Sequence, residues 1–143
     1  MTHDRTAAYA SLLLRSSLGT LFLAHAAMKF FVFTPAGTAQ FFASVGVPAA
    51  LAYVTIAAET LGGIALILGV ATRVVAIALV PILLGAIATV HGSAGFFFDN
   101  AHGGWEYPAF WIVALVVQAL LGDGAYALPA TVVGSRHTAL AAH

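Results

Sequence analysis

Four apolar runs, Ala7 to Phe33, Val47 to Val70, Val74 to His91 and Trp105 to Leu121, fill most of the 143-residue sequence and dictate what it can fold into. Each is near the roughly 17 to 25 residues that carry an α-helix across a hydrocarbon layer about 30 Å thick. Backbone amides find no water inside lipid, so a run of this length satisfies them internally, as a helix does. The breaks between runs hold turn-forming residues: Pro35 and Gly37, Gly69 to Arg73, the glycine-rich stretch Gly92 to Gly104, and Gly122-Asp123-Gly124. The sequence therefore predicts an all-α fold: one domain over residues 1–143, built as an antiparallel bundle of four transmembrane helices, with a short tail over 125–143.

Composition excludes the main alternatives. Hydrophobic residues make up 62% of the chain and charged residues 7%, against about 25% charged in a soluble domain. The lipid bilayer is the partner such a surface requires. Five basic residues balance five acidic ones, so the clustered basic face of a nucleic-acid binder is missing. Cysteine is absent, which removes disulfides, iron–sulfur clusters and thiol redox chemistry. Any redox role must then use a bound cofactor or a partner.

Basic residues in short flanks stay on the cytoplasmic side. Arg5, Arg73 and Arg136 fall on one side of a four-span chain, and Lys29, Asp99 and Glu106 on the other, which predicts that both termini are cytoplasmic. Two connectors on the outer side are unusual. Thr34 to Gly46 places Phe41, Phe42 and Val45 at helical spacing, the pattern of a short interfacial or re-entrant helix. The third connector places Phe96, Phe97 and Phe98 before Asp99, Asn100 and His102, so the two loops together are expected to cover the outer mouth. Trp105, Tyr107 and Trp111 read as interfacial anchors. Gly62-Gly63 and Gly85-Ala86 read as points of close helix approach.

Polar residues inside the runs are few and patterned. Ser11, Arg15, Leu18, Phe22, His25 and Lys29 follow spacings of three and four, one stripe along the first run. Glu59 falls at the middle of the second run. His91 and Glu106, at neighbouring ends of the third and fourth, lie about 10 Å outward of the midplane. A charge at the bilayer centre costs about 2.5 to 3.5 kcal/mol on insertion scales, so Arg15 and Glu59 need partners. The simplest offset is mutual, with Glu59 accepting hydrogen bonds from Arg15, Lys29 or a histidine. Lys29 is alternatively able to snorkel to the interface, and Gln118 has no visible partner. The sequence predicts an outer-half polar pocket of His25, Lys29, Glu59, His91 and Glu106, with Arg15 approaching from below and Trp105 along its wall. No nucleophile–base motif, phosphate loop or metalloprotease signature is present. Two histidines on different runs make a b-type haem the lesser cofactor reading.

The segments Leu18 to Lys29 (LGTLFLAHAAMK), Gly46 to Arg73 (GVPAALAYVTIAAETLGGIALILGVATR), His91 to Phe97 (HGSAGFF), Gly103 to Tyr107 (GGWEY) and Leu121 to Tyr126 (LGDGAY) together resemble the DoxX family of small four-helix membrane proteins. The tail departs from it at Ala125, where members often carry a basic residue. The resemblance implies a bundle in the bacterial inner membrane and a quinone-linked oxidoreductase role, as in thiosulfate:quinone oxidoreductase. On that reading the chain is a quinone-associated subunit of a redox system with a protein partner or as a homo-oligomer. Glu59 and His25 would handle protons, and Arg15, Lys29, His91, Trp105 and Glu106 would surround the quinone headgroup. The alternative is a non-enzymatic scaffold or assembly factor that docks soluble redox partners.

Overall fold

A computed structural model of the chain describes residues 2–128; Arg136 and the rest of the tail lie outside the described residues. The described residues form five α-helices and no strand, which bears out the all-α expectation. The first, α1, covers Thr2–Ala27 and continues as a π-helical turn over Met28–Val32. It stops where Thr34 takes a left-handed φ of 63° before Pro35. The Thr34 side chain accepts the Gly37 amide and caps α2, Pro35–Ser44, with proline in the first turn where its missing N–H costs nothing. Helix α3 spans Ala50–Leu68 and ends in a Schellman closure: Gly69, at φ 73°, donates to Leu66 O, and Val70 donates to Ala65 O. Helix α4 spans Thr72–Ala86 and passes into a second π-helical turn at Ile87–His91. Helix α5 is Glu106–Leu121.

The long helices form a ring in the order α1, α3, α4, α5, with α1 packed chiefly on α3 and α4 on α5. Its core is Leu18, Phe22, Leu66, Ala76, Leu79, Leu83, Trp111 and Leu115. Helix α2 lies against α3 and the π-helical end of α1. Three helical stretches, Arg5–Val32, Ala50–Leu68 and Thr72–Ala94, are long and apolar enough to cross a membrane. Helix α5 is apolar but has 16 residues, about 24 Å at 1.5 Å per residue. The outer surface matches the composition: Leu13, Phe31, Val74, Phe110 and Leu120 are each more than 70% exposed. An apolar surface of that extent belongs in a bilayer, and the chain is a membrane protein.

The α1–α3 contact is set by glycines. A Cβ on Gly63 would sit 2.9 Å from Gly19 O, and one on Gly19 would sit 2.6 Å from Gly63 O, so the two backbones touch. Gly63 fulfils the close-approach expectation, and its partner Gly19 had gone unread. Gly62 packs beneath Leu79. Gly85 does not follow the pattern: a Cβ there meets nothing within 4 Å, so this glycine faces open space and brings no helix near. Gly63→Ala should therefore lower stability by about 1–3 kcal/mol through overpacking, while Gly85→Ala should leave it equal or higher. Thermal unfolding of both variants in one detergent checks the contrast.

Candidate functional site

Helical side chains lean toward the N-terminus of their own helix. Lys29 lies near the end of α1 and Glu59 in antiparallel α3, so this lean points them at each other and into the bundle. Lys29 Nζ donates to both carboxylate oxygens of Glu59, at 2.8 and 2.9 Å. The Glu59 side chain is 4% exposed and that of Lys29 17%. Lys29 thus turns inward instead of snorkelling out. An ammonium has three N–H donors, and this one keeps a donor beyond the two that Glu59 takes. Thr38 on α2 donates to Lys29 O at 3.2 Å and to Thr34 O at 2.9 Å, tying α2 to the turn that carries the lysine.

His25 lies one turn below Lys29 and within electrostatic reach of the Glu59 carboxylate. Its Nδ1 is 2.9 Å from Leu21 O; a carbonyl only accepts, which assigns the proton to Nδ1 and leaves Nε2 as the variable nitrogen. The ring packs 5.0 Å from Trp111, which lies 4.7 Å from Phe22. Trp111 is 5% exposed, so it is a core residue and not an interfacial anchor. Its Nε1–H is buried with no hydrogen-bond acceptor among the described residues. Trp111 and Thr38 are the site residues that the sequence reading missed. The signal for Trp111 was the 3-4-3 spacing of Pro108, Trp111, Leu115 and Gln118, all buried.

The other expected members lie elsewhere. Arg15 does not pair with Glu59, because its side chain leans the opposite way, toward the C-terminal end of α3. It donates to Leu66 O at 3.0 Å, to Ile67 O, and to Ala125 O at 2.8 Å. The first two, in the last turn of α3, carry the partial negative charge of a helix C-terminus that offsets the guanidinium. Gln118 has partners after all: its Nε2 donates to Ser11 Oγ at 2.9 Å and Gly122 O at 2.8 Å. Asp123 accepts the Thr72 amide, Ala125 N donates to Ala8 O, and Leu128 N to Leu68 O. The start of α1, the α3–α4 turn and the segment after α5 therefore share one end of the bundle.

His91, Trp105 and Glu106 gather at the other end, in the α4–α5 connector. His91 Nδ1 is 2.9 Å from Gly103 O, Trp105 packs 4.8 Å from Phe96, and Glu106 accepts the Phe98 amide at 2.9 Å. A groove of about 500 Å³ runs between Phe41 of α2 and Val45 just after it on one side and Thr89 of the π-helical turn with Ser93 and His102 of the connector on the other. The two aromatic loops thus meet at one end, as the sequence reading expected. Seven candidate residues resolve into three groups: Lys29 and Glu59 with His25, whose ring packs on Trp111; Arg15 at the far end; and His91, Trp105 and Glu106 at the connector end.

The DoxX family model matches residues 10–92, from α1 through the π-helical end of α4. The chain belongs to the DoxX family. It is 37% identical over 118 residues, covering 82% of this chain and 83% of the relative, to a Bacillus subtilis (strain 168) protein named "Putative oxidoreductase CatD". No solved structure matches the chain. The matched stretch of this DoxX protein contains His25, Lys29 and Glu59, whereas Trp111 and Glu106 lie beyond it.

Removing one partner of a buried ion pair leaves a lone charge, at a cost of about 3–5 kcal/mol. Glu59→Leu and Lys29→Met should each fall toward the low end of that range, because Lys29 is partly exposed, and the double variant should lose less than either. A double-mutant cycle by denaturant unfolding in detergent measures this coupling. Arg15→Lys should free the 122–128 segment, since one ammonium cannot span three carbonyls on two elements. Faster amide exchange at Ala125 and Leu128 is the expected reading.

Proposed function

We propose that the chain is a quinone-associated membrane subunit of a redox system. The headgroup binds beside Lys29, Glu59, His25 and Trp111, in the half of the bundle covered by α2 and the α4–α5 connector. The carrying observation is an ion pair buried between two membrane-length helices that still offers a free N–H, together with a buried indole N–H that has no acceptor among the described residues, on a ring packed against His25. The name of the Bacillus relative supports a redox role. In this reading α5 completes a single four-span unit in the bacterial inner membrane, with both termini cytoplasmic and α2 interfacial or re-entrant. A protein partner or a second copy exchanges electrons with the bound quinone.

The residues present suit such a ligand. A quinone presents two carbonyl oxygens, and Lys29 Nζ and Trp111 Nε1 are two donors in this half of the bundle with an N–H to spare. Phe22 and Trp111 supply flat apolar surface close to His25. When bound, the quinone supplies a two-electron, two-proton redox couple. The protein's part is to place the headgroup by these N–H groups and keep it dry. His25 Nε2 and the Glu59 carboxylate hold protons next to it. His91, Trp105 and Glu106 serve the cover above this site, and Arg15 fixes the opposite end.

A scaffold that docks soluble redox proteins is the second reading, favoured by the many internal partners of the polar residues: Lys29 with Glu59, His91 with Gly103 O and Glu106 with Phe98 N. Extraction of the purified protein and mass analysis of its lipids separates the two. A retained quinone is expected, with retention about two- to tenfold weaker in Trp111→Phe, the loss of one neutral hydrogen bond, at nearly unchanged thermal stability. A protein free of quinone, with Glu59→Gln altering stability alone, supports the scaffold. The visible spectrum of the same preparation reports any haem.

A further inference from the structure

The connector end of α5 holds a second chemical environment that the quinone reading leaves unused. Phe96, Phe98, Glu106, Tyr107 and Phe110 line a cleft of about 420 Å³, within the size range of small-molecule sites. Four of these residues are aromatic, one is a carboxylate, and none is cationic. Aromatic faces carry the negative part of the ring quadrupole and attract cations within about 6 Å. A carboxylate adds a full charge of the same sign. Both components select one ligand chemistry: a positive nitrogen that carries carbon substituents.

Local structure holds the carboxylate in place. Glu106 opens α5, where the exposed amides of the first turn favour the anion. Its Oε1 accepts the Phe98 amide at 2.9 Å, and its own amide donates to Phe96 O at 3.0 Å. Its Oε2 has no hydrogen-bond partner among the described residues. Two of the rings are braced from behind, Phe96 edge-on to Trp105 at 4.8 Å and Tyr107 against Trp111 at 5.7 Å. The other two, Phe98 and Phe110, are 68% and 71% exposed, so the cleft is open to a ligand arriving from outside.

We propose that this cleft binds an organic ammonium ion, with Glu106 Oε2 opposite the positive nitrogen and the rings of Phe96, Phe98, Tyr107 and Phe110 around its carbon substituents. The ion is either the amine of a lipid headgroup or a free amine, which offer the same chemistry. The site shares no residue with the Lys29–Glu59 pair and stands whether or not a quinone binds there.

Titration of the full chain in maltoside detergent with tetramethylammonium, followed by calorimetry, tests the assignment. Saturable binding is expected, weakened about tenfold or more by Glu106→Gln and by Phe110→Leu, the scale of one desolvated cation–π or charge contact. Phe110 is surface-exposed, so its leucine variant keeps the test valid if Glu106→Gln does not fold. Wild-type protein without saturable binding, or two folded variants that bind as wild type does, overturns the proposal. Native mass spectrometry from nanodiscs of phosphatidylethanolamine or phosphatidylglycerol then names the source. Selective retention of phosphatidylethanolamine, lost in Phe110→Leu, assigns a headgroup; equal retention of the two lipids, beside saturable tetramethylammonium binding, assigns a free amine.

Discussion

Inside hydrocarbon a carboxylate and an ammonium are each untenable alone, and the contact between Lys29 and Glu59 is what makes both tenable. Much of the surrounding structure serves that contact. Gly19 and Gly63 let α1 and α3 approach until their backbones touch, so the two side chains meet within hydrogen-bonding distance. The π-helical turn sets the lysine at the edge of the bundle, and Thr38 of α2 fastens that turn through its carbonyl. A pair built this way stabilises little compared with an apolar pair of the same volume. Its presence is better explained by the polar chemistry it keeps available in a dry interior.

The two ends of the bundle differ. Between them Leu18, Phe22, Leu66, Leu79, Leu83 and Leu115 belong to one apolar core cluster. Above lie α2, the connector and their aromatic side chains, where the groove and the cleft are found. At the other end Arg15, Ser11 and Gln118 tie the helices together.

The helices were legible in the sequence because lipid permits so few backbone solutions, and the turns because glycine and proline mark them. Glu59 and Lys29 were legible as polar residues that need partners. Lys29 was one of several candidate partners for Glu59, beside Arg15 and a histidine, and depth along a helix axis could not choose among them because it ignores the lean of each side chain: Arg15 leans away from Glu59 and Lys29 toward it. Trp111 was misread for a related reason. Tryptophan near the end of an apolar run fits an interfacial anchor, and only its place on the buried stripe with Leu115 and Gln118 tells otherwise. Gln118 seemed unpartnered because Ser11, its side-chain acceptor, is 107 residues away, and its other acceptor, Gly122 O, is a backbone carbonyl freed only by the end of α5. Gly85 shows the converse error, a small residue taken as a contact where the neighbouring helix is absent.

Arg15 also sets an order of assembly. Its acceptors lie 51, 52 and 110 residues further along the chain, so a growing chain exposes this cation to the bilayer well before it can be neutralised. The second long helix brings the first two carbonyls, but the third arrives only after α5 and the turn beyond it have been synthesised. The segment that follows α5 thus completes the burial of a charge on the first helix, and α1 waits for that segment before its cation has all three acceptors.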